Sequence, residues 1–160
     1  MKKQKGFSLI ELLIVVAIIL IIAAIAIPNL LRSRMAANEA SAVGSLRTIN
    51  TAEVTYSTTY PNVGFATAIA NLGGAAPCTT ATSGSSCLID DVLSTVGVKS
   101  GYKFTAAGTA GAGGLNVTYT ATAVPSVVGQ SGQRAFFTDQ SGVIRFDASG
   151  AGANASSPAL

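Results

Sequence analysis

The chain has 160 residues, enough for one hydrophobic anchor and one soluble domain of ordinary size. It contains no histidine, which excludes histidine-based catalytic triads and histidine-containing metal sites. Its formal net charge of +3 comes from lysines that precede residue 6, and the remaining seven basic residues balance seven acidic ones, so the charge gives no general argument for binding nucleic acid.

The N-terminal stretch joins a basic leader to a long apolar run. The leader lysines are Lys2, Lys3 and Lys5. Residues 7–27 are apolar except for Ser8 and Glu11, and this is about the length that a helix rising 1.5 Å per residue needs to cross a hydrocarbon core of about 30 Å. The stretch therefore predicts a transmembrane helix, and the lysines predict that the leader stays in the cytoplasm.

Glu11 is the unusual residue of this helix. A carboxylate in a membrane helix costs about 2.5 kcal/mol or more near the bilayer centre and less near an interface, so it usually implies a partner or a function. One alternative to a partner or a function is that the Glu11 side chain only reaches the lipid headgroups. A secretory signal peptide cleaved near Ala24-Ile25-Ala26 and a plain single-pass anchor are two others, but they leave Glu11 and the glycine at the leader junction unexplained.

The segment Gly6-Phe7-Ser8-Leu9-Ile10-Glu11 resembles the prepilin signature of type IV pilins and type II secretion pseudopilins. The resemblance implies that a membrane-embedded prepilin peptidase cuts between Gly6 and Phe7, and that Phe7 is then N-methylated. It also implies that Glu11 pairs with the N-terminal amine of a neighbouring subunit during filament assembly. Glycine before the cut fits this chemistry, because its backbone can approach a protease closely.

Pro28 closes the apolar run, and the pattern beyond it becomes amphipathic. The helix is predicted to continue to about residue 58 with a kink at Pro28, which lacks an amide hydrogen and crowds the preceding turn. We expect Arg32, Arg34 and Arg47 to lie near headgroups or to pair with Glu39 and Glu53. The residues predicted to face a core are Leu31, Met35, Ala42, Val43, Leu46, Ile49, Val54 and Tyr56.

Residues 61–100 are predicted to form a variable connector, with a short helix over residues 66–71 and a helical turn over residues 88–94. The two cysteines, Cys78 and Cys87, flank a loop rich in serine and threonine. Outside the cytoplasm two cysteines most simply form a disulfide. A metal site is the alternative, although two thiolates do not complete a tetrahedral zinc site.

Residues 101–160 are predicted to form an antiparallel sheet of about four strands, followed by a loose tail after Asp147. The strands are expected at residues 102–106 and 115–124 and on either side of a hairpin turn over residues 139–142. Strict alternation in the second strand places Val117, Tyr119 and Ala121 on one face. Glycine-rich linkers are expected over residues 107–114 and 128–132.

The predicted architecture is α+β and resembles the pilin fold, with a long N-terminal helix, its first half transmembrane, packed on a small sheet. Its segments are leader 1–6, transmembrane and filament-core helix 7–28, amphipathic helix 29–60, connector 61–100, and sheet with tail 101–160. The resemblance implies a non-enzymatic subunit of a type IV pilus-like filament for adhesion, motility or DNA uptake. The alternative is the major pseudopilin of a type II secretion system.

The resemblance also implies the partners and location of the subunit. The expected partners are other copies of the chain, prepilin peptidase and methyltransferase, the inner-membrane assembly machinery, and the membrane before assembly. We predict no nucleic-acid partner, cofactor or metal. A calcium site is the alternative that stays open, because Asp139, Asp147 and loop carbonyls could supply oxygen ligands. The precursor is expected in the bacterial inner membrane, and the assembled protein in an extracellular pilus or a periplasmic pseudopilus.

Overall fold

The computed structural model describes residues 6–74 and 76–160, so the leader lysines lie outside the described residues. The chain divides into two compact units, with the boundary between Arg34 and Met35. The first unit contains the apolar part of the long helix. The second contains the rest of that helix, the connector, the sheet and the tail.

The long helix, α1, spans Leu9–Thr59 and continues through Pro28. Its C-terminal end agrees with the prediction from the amphipathic pattern. Proline cannot donate a backbone hydrogen bond to the preceding turn, so a kink at Pro28 stays a prediction for the membrane or filament environment.

The buried face of α1 in the second unit follows helical spacing. Ile49, Ala52, Glu53 and Tyr56 are all buried, at positions i, i+3, i+4 and i+7. Val54 was predicted to join this face but is 56% exposed, because it lies on the opposite side of the helix from these residues. Leu31, another predicted core residue, is also exposed.

The second unit contains a five-stranded antiparallel sheet whose spatial order follows the chain. The predicted α+β class is confirmed, but the sheet has one strand more than expected, because a two-residue edge strand is too short to show a sequence pattern. The second strand also continues into the stretch predicted as a glycine-rich linker. The strands are β1 (Val98–Lys99), β2 (Tyr102–Ala110), β3 (Asn116–Pro125), β4 (Ala135–Asp139) and β5 (Arg145–Asp147).

The predicted alternation in β3 is wrong at Val117, which is 52% exposed while Tyr119 and Ala121 are buried. The pairing of β2 with β3 shifts register here: Thr109 faces Thr118, whereas Ala110 faces Asn116. Val117 is therefore the extra residue of a β-bulge, and a bulge changes which face the following side chains occupy.

The connector contains helix α2 (Ile69–Leu72) and a π-helical turn at Val92–Val96. Both lie a few residues beyond their predicted starts. The prediction of a loose tail is wrong, because the tail hydrogen-bonds to the edge of the sheet. Phe146 N donates to Pro158 O at 3.0 Å, and Leu160 N donates to Ile144 O at 2.9 Å. These bonds cover part of the β5 edge.

A hydrophobic core lies between α1 and the sheet, and a polar bridge crosses it. The side chain of Asn50 on α1 accepts a hydrogen bond from Tyr119 Oη at 3.0 Å and donates to Thr138 Oγ1 at 3.0 Å. Tyr119 belongs to β3 and Thr138 to β4, so one amide fixes α1 against two strands. The core residues of α1 and the sheet are Ala42, Val43, Leu46, Ile49, Ala52, Tyr56, Tyr102, Phe104, Ala106, Ala121, Ala123 and Phe136.

Candidate assembly site on the N-terminal helix

The predicted cleavage site lies just before α1. Gly6 and Phe7 are exposed, and the phenylalanine is 88% exposed. A Cβ atom added to Gly6 would meet no atom within 4 Å among the residues that the structure describes. Packing within the described chain therefore does not require glycine at this position.

Glu11 lies in the first turn of α1 and is exposed. Its Oε2 accepts a hydrogen bond from Ser8 N at 2.9 Å, while Ser8 O accepts the first helical bond from Leu12 N at 3.2 Å. Ser8 therefore occupies the N-cap position and Glu11 the third helical position, the serine-x-x-glutamate spacing of a capping box. This capping role was not predicted, although the serine-x-x-glutamate spacing that indicates it is visible in the sequence.

The capping bond uses one carboxylate oxygen of Glu11. No lysine or arginine lies within salt-bridge distance of this carboxylate in the described part of the chain. The hydrogen bond reduces the unfavourable free energy of the group in lipid, but it does not neutralise the charge. Glu11 therefore still has the capacity to pair with a cation supplied by another molecule.

The rest of this half of α1 is apolar on every side. Its large hydrophobic side chains between Leu9 and Leu31 are each at least 46% exposed. The helix is long and apolar enough to cross a membrane, and none of its most apolar 18-residue window is buried within the structure. A surface of this size requires lipid or other helices around it.

In the second unit, Glu39 joins α1 to the start of β4. Its Oε1 accepts hydrogen bonds from the backbone nitrogens of Gln133 and Arg134, at 2.9 and 3.1 Å, and its Oε2 accepts one from Arg134 Nε at 2.8 Å. Burial alone would raise the pKa of Glu39, but these hydrogen bonds and the guanidinium charge outweigh burial and lower it. The expected pairing of Glu39 with an arginine of its own helix is wrong, because Arg134 occupies the carboxylate.

Glu53 has a different environment. The side chain is fully buried, and Oε2 accepts a hydrogen bond from Ala66 N at 2.9 Å. Oε1 is buried without a hydrogen-bond partner in the described residues. Burial raises the pKa of Glu53 to about 7, although the bond from Ala66 opposes this shift. The alternative of an arginine partner is therefore wrong for Glu53 as well.

The disulfide predicted between Cys78 and Cys87 is confirmed. Its loop is attached to the helix end, because Tyr56 Oη donates a hydrogen bond to Ser83 O at 2.6 Å. Gly74 lies close under the loop: a Cβ there would come within 2.6 Å of Cys78 Sγ. The loop is thus part of the packed connector.

We expect the double variant Cys78→Ser/Cys87→Ser to lose about 2–3 kcal/mol of unfolding free energy, since the disulfide restricts a short loop in the unfolded chain. Urea unfolding of the detergent-solubilised full chain, followed by near-ultraviolet circular dichroism of the tyrosines, measures this loss. Wild-type protein reduced with a thiol should lose the same amount. An oxidised wild type no more stable than the double variant would contradict the prediction.

Comparison with known proteins defines a class for the N-terminal segment. Residues 1–27 match the family model described as the prokaryotic N-terminal methylation motif. This match includes Gly6, Phe7 and Glu11, and it confirms the resemblance to prepilins drawn from residues 6–11. No solved structure shows a significant match to the chain.

Two curated relatives are pilus proteins. The chain is 64% identical over 39 residues to the type IV wide pilus major component PilA4 of Thermus thermophilus, an alignment that covers 24% of this chain and 30% of that protein. It is 44% identical over 54 residues to the type IV major pilin protein PilA of Myxococcus xanthus, covering 34% of this chain and 24% of that protein. The chain thus aligns with less than a third of the length of either relative.

Proposed function

We propose that this chain is a structural subunit of a type IV pilus-like filament. The observation that carries the proposal is a long helix whose first half is apolar on every side, has one carboxylate in its first turn and lies largely within the N-terminal methylation motif. Such a helix is suited to leave lipid and enter a bundle of identical helices, because both surroundings cover its apolar surface. We propose no catalytic role.

In this proposal, the leader is removed between Gly6 and Phe7, and Phe7 is methylated. The positive N-terminal amine of one subunit then pairs with Glu11 of its neighbour. Pairing neutralises the carboxylate within an apolar bundle, where an isolated charge is unfavourable. Because the amine and Glu11 are separate positions, the contact runs head to tail and repeats along an open filament.

The same N-terminal chemistry would serve a type II secretion pseudopilus. Both relatives named above are major components of type IV pili, which favours the pilus. We therefore propose that the precursor resides in the bacterial inner membrane and the assembled subunit in a surface pilus. The proposed partners are further copies, prepilin peptidase and methyltransferase, and the inner-membrane assembly machinery.

In this proposal, each segment predicted from the sequence has its own role in the filament subunit. Residues 1–6 form the removable leader, residues 7–28 the anchor and filament-core helix, and residues 29–60 the second half of the helix. We call the second unit, which begins at Met35, the head domain. Residues 61–100 form the connector that contains the disulfide. Residues 101–160 supply four of the five strands and the tail, which the filament would present on its surface.

Intact mass and N-terminal analysis of filaments sheared from cells test processing and surface assembly together. We expect a chain that starts at methylated Phe7, and we expect Gly6→Val to leave an unprocessed precursor in the membrane, because a branched side chain hinders the close approach of the peptidase. Gly6→Ala, with a much smaller side chain, is the matched control.

Each alternative predicts a different result in this experiment. Methylated Phe7 confined to the cell envelope would instead indicate a pseudopilus. A chain that starts at Ile27 would identify a secretory signal peptide, and normal processing of Gly6→Val would contradict the cleavage assignment.

A further inference from the structure

Two surfaces of the second unit combine exposed apolar side chains with charges of opposite sign. The first, which we call the arginine groove, lies along α1 and has a cavity volume of about 290 Å³. Its apolar floor comes from Ala36, Ala40 and Val43 of α1, and Leu160, 55% exposed, adds to it. The groove is lined by Ala36, Glu39, Ala40, Val43, Arg47 and Arg134, together with Leu160.

One of the two arginines that line the groove has no ion-pair partner in the described residues. Arg134 is paired with Glu39, so these two side chains cancel. Arg47 is exposed and has no carboxylate within salt-bridge distance in the described residues. An occupant that fits this groove should therefore combine apolar side chains with one negative charge.

The second surface has that composition. Three valines around the π-helical turn, Val92, Val96 and Val98, are 49%, 64% and 39% exposed. They are exposed because Leu93 and Ser94, on the other side of the turn, are buried. Asp91 immediately precedes them and has no cationic partner in the part of the chain that the structure describes. We call these four residues, Asp91 and the three valines, the valine knob.

We propose that the valine knob of one copy docks in the arginine groove of the next copy, with Asp91 paired to Arg47. The inference rests on the proposed filament, because the knob and the groove are different patches, and a contact between different patches repeats without closing. Docking would bury the apolar groove floor and the exposed valines, while the ion pair fixes the orientation of the contact.

The other carboxylates of the second unit fit the groove less well. Asp90 is already paired with Lys99, and Glu53 is buried. Asp139 and Asp147 have only one large exposed hydrophobic residue close to them in the chain, Val143. The valine knob is the acidic patch with the larger apolar surface.

Charge reversal tests the pairing in cells that carry the full chain. We expect Arg47→Glu alone and Asp91→Arg alone each to reduce sheared filaments about tenfold, which corresponds to about 1.4 kcal/mol per contact. The double variant Arg47→Glu/Asp91→Arg should recover most of the yield. Asp139→Arg reverses a carboxylate outside the knob that has no salt bridge in the described residues, and on its own it should leave assembly unchanged.

Membrane levels of each variant separate assembly from folding, because a misfolded head would also deplete the unassembled pool. Equal losses in the double variant and the single variants would overturn the docking. Rescue of Arg47→Glu by Asp139→Arg would show that a different patch occupies the groove. If the wild type itself forms no filament, the proposed function fails and not merely this contact.

Cross-linking gives a direct measurement that does not depend on yield. Filaments with Ala40→Cys and Val96→Cys, treated with a short bismaleimide, should give a ladder of covalent oligomers. Ala40→Cys combined with Val54→Cys is the matched control, since Val54 is an exposed valine outside the knob. Absence of the ladder from assembled Ala40→Cys/Val96→Cys filaments would overturn the docking.

Discussion

Glu11→Ala is expected to abolish filament assembly while leaving insertion, cleavage and methylation largely intact. The variant keeps the apolar helix and the cleavage junction but removes the carboxylate that would pair with the neighbouring amine. Losing about 1.4 kcal/mol per contact already lowers an association constant tenfold, and a desolvated ion pair contributes more than that when one partner is removed. Sheared-filament yield and the mass of the membrane-held chain measure the two effects separately.

The capping bond supplies the matched control. Glu11→Gln keeps an oxygen that can accept the hydrogen bond from Ser8 N, since glutamine also completes a capping box, but it removes the charge. If charge pairing drives assembly, the glutamine variant should fail as the alanine variant does. Wild-type filament yield from Glu11→Gln would show that helix capping, and not pairing with an amine, is what assembly needs from this residue.

Much of the fold could be predicted because its signals are local. An uninterrupted apolar run defines the first half of α1, helical spacing defines most of its buried face, and an aspartate and a glycine mark the β4–β5 turn, where Gly142 N donates to Asp139 O at 2.9 Å. Val117 could not be placed, because its bulge depends on how β3 pairs with β2. The partners of Glu39 and Glu53 are 95 and 13 residues away, and spacing within a helix does not predict such contacts.

The functional residues also divide into those that local sequence predicts and those that only the folded chain brings together. Gly6, Phe7 and Glu11 lie within six residues, and a short motif was enough to find them. The arginine groove needs a tail that folds back beside α1 and an arginine from β3–β4 that reaches Glu39. Only the folded chain brings those side chains together, so the sequence predicted neither the groove nor a role for the valines near Asp91.

The stability of the head domain is expected to fall as the pH rises from about 4.5 to about 7, because of Glu53. Its folded pKa of about 7 lies above the ordinary glutamate pKa of 4.5, so in this window the unfolded chain loses a proton that the folded chain keeps. The stability that Glu53 contributes is fully present below its pKa in the unfolded chain, 4.5, and is lost once the pH reaches its pKa in the folded chain, about 7. The shift corresponds to about 3 kcal/mol, at 1.36 kcal/mol for each pH unit.

Urea unfolding of the detergent-solubilised full chain at pH 5 and pH 8 measures this effect. All four tyrosines belong to the second unit, so their near-ultraviolet circular dichroism reports the head domain. The tyrosines themselves do not titrate in this range. Burial, together with the nearby charge of Glu53, raises the pKa values of Tyr56 and Tyr119 above 10, so both stay neutral between pH 5 and pH 8.

Two conservative variants distinguish Glu53 from the rest of the fold. Glu53→Gln can still accept the hydrogen bond from Ala66 N but does not titrate, so the loss between pH 5 and pH 8 should disappear. Glu39 affects stability in the opposite direction from Glu53. Because the pKa of Glu39 is lowered in the folded chain, this residue adds stability above the pKa it has in the unfolded chain, and that stability is lost as the pH falls. The pH dependence of the wild type should therefore survive in Glu39→Gln, and its persistence in Glu53→Gln would place the titrating group elsewhere.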